Sequence, residues 1–156
     1  MIPLNIVVTG GNNGIGYETV KALYKKGHNV IFGSRNQQKS EECVETLKKE
    51  IGTDKGMLRA FKLDLSLRAS VEEFANNVKK NLSHIDILIN NSGLLVNERK
   101  ISELGIDLTM TVNHCGHFYL TYLLFDLMRS VKEGRIINVA SKAHTMYKGK
   151  DILGDI

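Results

Sequence analysis

Thr9-Gly10-Gly11-Asn12-Asn13-Gly14-Ile15-Gly16 is the stretch on which the reading of this sequence turns. The apolar run before it, Asn5 to Thr9, reads as a strand, and Ile15 to Lys26 after it has the spacing of a helix. Gly10 permits a tight turn off the strand, Gly14 lets backbone approach a pyrophosphate, and Gly16 lets the helix pack closely on the sheet. The unpaired N–H groups and the dipole at a helix start favour an anion there. The placement between strand and helix, more than the glycines themselves, separates a dinucleotide-binding turn from an ordinary glycine-rich loop. Thr9, Asn12, Asn13 and Ile15 belong to the same expected binding turn.

The alternation continues outward from this turn. Asn29 to Gly33 reads as a second strand, and Gln37 to Ile51 as a helix with Val44, Leu47 and Ile51 on one face. Leu58 to Leu63 reads as a third strand. In the next helix Val71, Phe74, Ala75, Val78 and Leu82 form a one-sided stripe. Ser66 or Ser70 is its expected N-cap, and Ser70 with Glu73 has capping-box spacing. Ile85 to Ile89 reads as the fourth strand and Arg135 to Val139 as the fifth. Between them a long helix spans about Gly105 to Arg129. Its Val112, Cys115, Phe118, Tyr119, Tyr122, Leu123 and Leu127 cover more than one face, which predicts cover on two sides. Alternating strands and helices, with strands apolar throughout, imply a parallel sheet sandwiched between helices. Residues 1–156 are therefore expected to form one α/β, doubly wound, Rossmann-like domain, with a loop over Tyr147 to Ile156.

Composition narrows the partners. The net charge of +4 is spread along the chain, with no dense basic run, so nucleic acid is not an expected partner. No apolar run reaches membrane-spanning length and no secretory signal pattern is present. Cys43 and Cys115 lack metal or redox spacing and sit in apolar helical patterns, so buried free thiols and a reducing, cytoplasmic compartment are expected. A longer parent could still carry a membrane anchor elsewhere. His28, His84, His114, His117 and His144 show no metal spacing, so no metal site is expected and hydrogen-bonded packing is the reading for His114 and His117. Tyr119, Tyr122 and Phe125 read as core or subunit contact rather than a substrate box.

The second strand ends in Gly33-Ser34-Arg35-Asn36. An NAD-binding turn carries a carboxylate here for the adenosine ribose hydroxyl. Arg35 instead offers a guanidinium that can pair with a 2′-phosphate, and Ser34 can add a hydroxyl. This favours NADP over NAD, the alternative being a solvated arginine.

The spacing Gly10-x3-Gly14-x-Gly16 resembles that of the short-chain dehydrogenases/reductases, and the likeness runs along almost the whole chain. Asp64, in Leu63-Asp64-Leu65-Ser66, matches the family's acidic residue at the adenine. Asn90-Asn91-Ser92-Gly93 is similar to the family's Asn-Asn-Ala-Gly, in which Asn91 and Gly93 would fix the strand end beneath the cofactor. Asn113 matches the family's helix asparagine and Ser141 its catalytic serine. The resemblance implies strand order 3-2-1-4-5 with the cofactor at the C-terminal strand ends. Gly33-Ser34-Arg35-Asn36, Val112-Asn113-His114 with Gly116-His117-Phe118, and Ser141-Lys142-Ala143-His144 look like the retinol-dehydrogenase-like, NADP-dependent branch. Gly11, Ser92 and Ala140 depart from that pattern without removing a group the chemistry requires.

That resemblance implies oxidoreduction between an alcohol and a carbonyl of a retinoid-, steroid- or xenobiotic-like small molecule. Hydride transfer belongs to the nicotinamide. The family's proton donor is a tyrosine, with a lysine four residues later lowering its pKa. Only 15 residues follow Ser141, and the residue four after Tyr147 is Asp151. Tyr147 with Lys150 has the wrong spacing. The expectation is thus a truncated, inactive N-terminal part whose missing helix leaves apolar surface for a second copy or a covering partner. The runner-up is a non-catalytic NADP-binding sensor or structural subunit. A different nucleotide binder, such as a methyltransferase, ranks third because Asn113 and Ser141 argue against it.

Overall fold

The structure is a computed structural model and describes residues 2–96 and 98–142. The chain runs β1 (Asn5–Thr9), α1 (Gly14–Lys25), β2 (Asn29–Ser34), α2 (Gln37–Ile51), β3 (Leu58–Lys62), α3 (Arg68–Asn81) and β4 (Ile87–Asn90). It continues through α4 (Leu108–Met110), a π-helical segment (Thr111–Cys115), α5 (Gly116–Arg129) and β5 (Arg135–Asn138). The strands form one sheet in the order β3-β2-β1-β4-β5, and every pair is parallel.

Successive side chains of a strand point to opposite faces, and in the central strands β1, β2 and β4 both faces are buried. Val7 lies in register with Ile31 of β2 and Leu88 of β4. That row packs with Phe74 and Val78 of α3 and with Leu120 and Leu124 of α5. Ile6, Val8, Val30 and Phe32 face the other way and pack with Val20 and Tyr24 of α1 and Leu47 of α2. Each such fully buried aliphatic or aromatic side chain contributes about 1.5–3 kcal/mol. All strands point the same way, so their C-terminal ends and the loops after β1, β2, β3 and β4 gather on one edge.

Three expectations need correction. Neither Ser66 nor Ser70 caps α3: its N-cap is Leu67, with no side-chain bond. Both hydroxyls serve Asp64 instead, Ser70 Oγ accepting from the Asp64 N–H and Ser66 Oγ donating to Asp64 Oδ1. The long helix starts later than its apolar pattern suggests, because Gly105 has φ +73 and Asp107 is the N-cap, accepting from the Met110 N–H. A π turn interrupts it at Thr111–Cys115. Its outer side is open, as expected of a chain without the helix that would cover it. Phe118 is 69%, Tyr122 71% and Phe125 52% exposed, and all four residues of β5 are exposed. Tyr119 turns the other way, its hydroxyl donating to Glu72 of α3 at 2.5 Å. The two cysteines are free but only half-buried. Among the described residues, no helix is long and apolar enough to cross a membrane. Tyr147, Lys150, His144 and the expected loop over Tyr147 to Ile156 lie outside the described residues.

Candidate functional site

Gly10 and Gly14 both sit in the left-handed region, at φ +72 and +52. Only glycine takes these angles without strain. The Gly10 N–H donates to the Gly33 carbonyl at 2.7 Å, which ties the turn to the end of β2. A Cβ on Gly16 would collide with the Gly10 carbonyl and the Asn91 side chain, so the helix start is pressed onto the turn itself. A Cβ on Gly14 would meet nothing within 4 Å. The N-cap of α1 is Asn13, in an extended conformation and without a side-chain cap bond. Asn13 thus leaves the first-turn amides without a side-chain cap, the arrangement that suits a bound anion.

The loop after β4 is locked to this turn. Asn91 Nδ2 donates to the carbonyl of Thr9 at 2.8 Å and to that of Gly10 at 3.3 Å. Thr9 is fully buried, and its hydroxyl oxygen accepts from the N–H groups of Asn91 and Ser92, both at 2.9 Å. Its side chain thus faces the β4 loop rather than the space above the turn. Further on, Asn113 in the π segment accepts from the Leu94 N–H and donates to the Leu94 carbonyl, both at 2.8 Å. Two asparagines therefore clamp the stretch from Asn91 to Leu94 from opposite sides.

At the other end, β2 delivers Ser34, Arg35 and Asn36. Ser34 is buried, its hydroxyl 2.7 Å from that of Ser40 and 3.2 Å from the Asn36 carbonyl. Asn36 caps α2, its side chain accepting from the Lys39 N–H at 3.0 Å. That cap places Lys39 in the first helical turn, four residues after Arg35. Both side chains are exposed and both line the same cleft. The first turn of α2 holds no acidic residue. Two cations at a positive helix end repel each other and the helix dipole, and an anion between them would relieve both. After β3, Asp64 accepts through Oδ1 from the N–H and hydroxyl of Ser66, which holds its carboxylate at the cleft margin.

These pieces enclose one cleft of about 620 Å³ along the C-terminal edge of the sheet. Gly10, Asn12, Asn13, Ile15 and Gly16 form its floor at the turn. Ser34 and Arg35 close one end. Asp64, Leu65, Asn91, Ser92 and Gly93 run along the rest. Thr9, Gly14, Asn113 and Ser141 are not among the lining residues. Thr9 is buried beneath the turn, whereas Gly14, Asn113 and Ser141, the last just past β5, are themselves exposed. Sequence reasoning missed Asn36, Lys39, Leu63, Leu94 and Val112, which also line it. A signal for Lys39 was available: it stands four residues after Arg35 at the start of a predicted helix. Cys43 lies close by, its thiol donating to the Asn12 carbonyl at 3.7 Å, and burial raises its pKa so that it stays a thiol. The size and the mixture of backbone amides, apolar walls and two cations fit a dinucleotide.

Comparison with known proteins agrees with this geometry. The profile of the family described as short chain dehydrogenase matches residues 4–150. Retinol dehydrogenase 13 of Mus musculus is 39% identical over 139 residues, covering 89% of this chain and 41% of that protein. The WW domain-containing oxidoreductase of Gallus gallus is 34% identical over 97% of this chain and 36% of its own length. This chain therefore spans about two-fifths of the curated relatives it matches. Among solved structures, an alcohol dehydrogenase from Thermococcus sibiricus complexed with 5-hydroxy-NADP aligns with TM-score 0.71 and 27% identity, over 83% of this chain and 55% of that one. A short-chain dehydrogenase from Sphingobium yanoikuyae in complex with NADPH shares the fold at TM-score 0.77 and 22% identity, covering 92% and 56%.

Proposed function

This chain belongs to the short-chain dehydrogenase family, and on that footing we propose that residues 1–156 are the NADP(H)-binding part of an oxidoreductase that interconverts an alcohol and a carbonyl. The observation that carries the choice of NADP is the pairing of Arg35 with Lys39 at the acid-free N-terminus of α2, on the rim of the cleft. The Gly10–Gly16 turn and the open start of α1 hold the pyrophosphate. Arg35 and Lys39 hold the 2′-phosphate, Asp64 and Leu65 flank the adenine, and Asn91, Ser92 and Gly93 support the nicotinamide half. Bound there, the cofactor would supply or accept the hydride.

The chain's own contribution to the chemistry is positional. Asn113 holds the backbone at Leu94 through two bonds, fixing the wall beside the cofactor. Ser141 is the group assigned to hydrogen-bond the substrate carbonyl. The tyrosine and lysine of the family do not occur at their spacing after Ser141, so this chain by itself binds cofactor without turnover. For the whole enzyme the proposed substrates are retinoid-, steroid- or xenobiotic-like small molecules, and the relatives named retinol dehydrogenase support the retinoid member of that class. The exposed aromatic face of α5 favours one second reading, an NADP-binding sensor or structural subunit covered by another chain or a second copy. The test is a double substitution, Arg35→Ala with Lys39→Ala. NADPH affinity should fall about 10- to 100-fold, the worth of one or two charge-assisted bonds, while NADH affinity stays the same. Equal loss for both nucleotides would refute the assignment of the 2′-phosphate site. Oxidation of NADPH by the unmodified chain with an aldehyde would refute its inactivity.

A further inference from the structure

His117 is a buried polar residue that the cofactor reading leaves unexplained. It is 6% exposed, on the first turn of α5. Its Nε2 lies 2.8 Å from the Thr9 hydroxyl and its Nδ1 lies 3.1 Å from the carbonyl of Asn113. A hydroxyl has one proton and two lone pairs. The Thr9 oxygen already accepts from two backbone N–H groups, those of Asn91 and Ser92. Both lone pairs are engaged, so the one proton must go to the third neighbour, Nε2. Nε2 therefore carries no hydrogen, and Nδ1 carries one. The Asn113 carbonyl can only accept, which completes the assignment. Any other protonation state would present a third N–H donor to the Thr9 oxygen and leave its own proton without a partner.

We infer that His117 is a positioning residue for the cofactor cleft: as a neutral ring protonated at Nδ1, it joins the Thr9 hydroxyl to the backbone of Asn113 and so sets the two walls of the cleft against each other. Through Thr9 it fixes the direction of the bonds to Asn91 and Ser92. Through the Asn113 carbonyl it braces the π segment, where the Gly116 N–H reaches back to Thr111 and the Asn113 side chain clamps Leu94. The link spans 108 residues of sequence. Burial opposes a charge on the ring, the Asn113 carbonyl partly offsets this, and His114 in the π segment adds to it. The groups that face the ring from β1 and from the π segment, Thr9 and the Asn113 carbonyl, are uncharged.

The consequence for nucleotide binding rests on the cofactor reading above, but the proton assignment does not. The first measurement is nitrogen NMR of the imidazole in the unmodified, cofactor-free chain at neutral pH. A hydrogen on Nδ1 and none on Nε2 is expected. A ring protonated at Nε2, alone or with Nδ1, overturns the inference. The second compares His117→Leu, which deletes both contacts, with His117→Gln, whose amide oxygen can still accept from Thr9. In His117→Leu the amides of Asn91, Ser92 and Leu94 should lose exchange protection together while those of β2 and β3 keep theirs. NADPH affinity should fall about tenfold, as for loss of one buried bond, and His117→Gln should recover most of both effects. Uniform loss across the sheet, or none, would show a packing residue only. Should the unmodified chain bind no NADPH, the cofactor reading fails, while the ring spectrum and the amide exchange still decide the role of His117. If His117→Leu does not fold, the ring spectrum of the unmodified chain and the amide exchange of His117→Gln, expected to keep most of its protection at Asn91, Ser92 and Leu94, decide it.

Discussion

Gly16 shows how little room the phosphate turn leaves. A methyl there meets the Gly10 carbonyl and the Asn91 amide, so Gly16→Ala must move the turn or the helix. Overpacking of this kind costs about 1–3 kcal/mol, and a thermal melt with an NADPH titration should show both lower stability and weakened binding. Thr9→Val is a sharper test of the hydrogen-bond count, because it is nearly isosteric. It leaves the N–H groups of Asn91 and Ser92 without their acceptor, at about 2 kcal/mol or more by denaturant unfolding, whereas Thr9→Ser should lose much less. At this scale the sequence was informative where chemistry follows from residue type and local spacing. The glycines and Arg35 could be read because strand, turn and helix lie in one continuous stretch. Lys39 could have been read with them, since it stands four residues after Arg35 in the first turn of the expected helix, and its place on the rim follows from Asn36 starting α2. The role of Thr9 was hidden for another reason: its partners lie in the β4 loop and on α5, and no local pattern reports a contact of that range.

At the scale of the elements, α5 carries the largest difference between pattern and structure. Its apolar residues surround the helix in sequence, yet Leu120 and Leu124 are fully buried while Phe118, Tyr122 and Phe125 are not. Periodicity reports which positions are apolar, not which neighbours are there to cover them. Leu124→Ala should therefore cost about 2–5 kcal/mol, and Phe125→Ala far less, by urea unfolding. The π turn was equally invisible, since it shifts backbone bonds without changing the apolar spacing. His117 makes this region pH-sensitive in a defined direction. Its folded pKa is lowered from the usual 6.5, chiefly by burial, so the unfolded chain takes up the proton first. The stability tied to the neutral ring is present above about pH 6.5 and is lost as pH falls through the folded value. Unfolding midpoints should decline between pH 7.5 and 5 more steeply in the unmodified chain than in His117→Gln. Equal slopes would contradict this.

At the scale of the whole molecule, the parallel sheet was legible from the alternation of elements, while its order β3-β2-β1-β4-β5 was implied by the family resemblance that the glycine turn, Asp64, Asn91 and Asn113 carry. The open face was expected in kind, and its members, α5 and β5, emerge from the structure. An exposed apolar patch of this sort draws a covering surface or promotes association. Replacing Phe118, Tyr122 and Phe125 with serine should make the chain more monodisperse in light scattering without altering NADPH affinity, since none of them lines the cleft. The central claim is that this chain holds NADP(H) through the glycine turn and the Arg35–Lys39 rim. The most direct test is equilibrium titration of the unmodified chain with NADPH and with NADH, followed by nucleotide fluorescence at two salt concentrations. The account predicts saturable binding, with NADPH tighter by about tenfold or more and that preference shrinking as salt rises. Binding of NADH as tight as or tighter than NADPH, or no binding of either by folded protein, would contradict it.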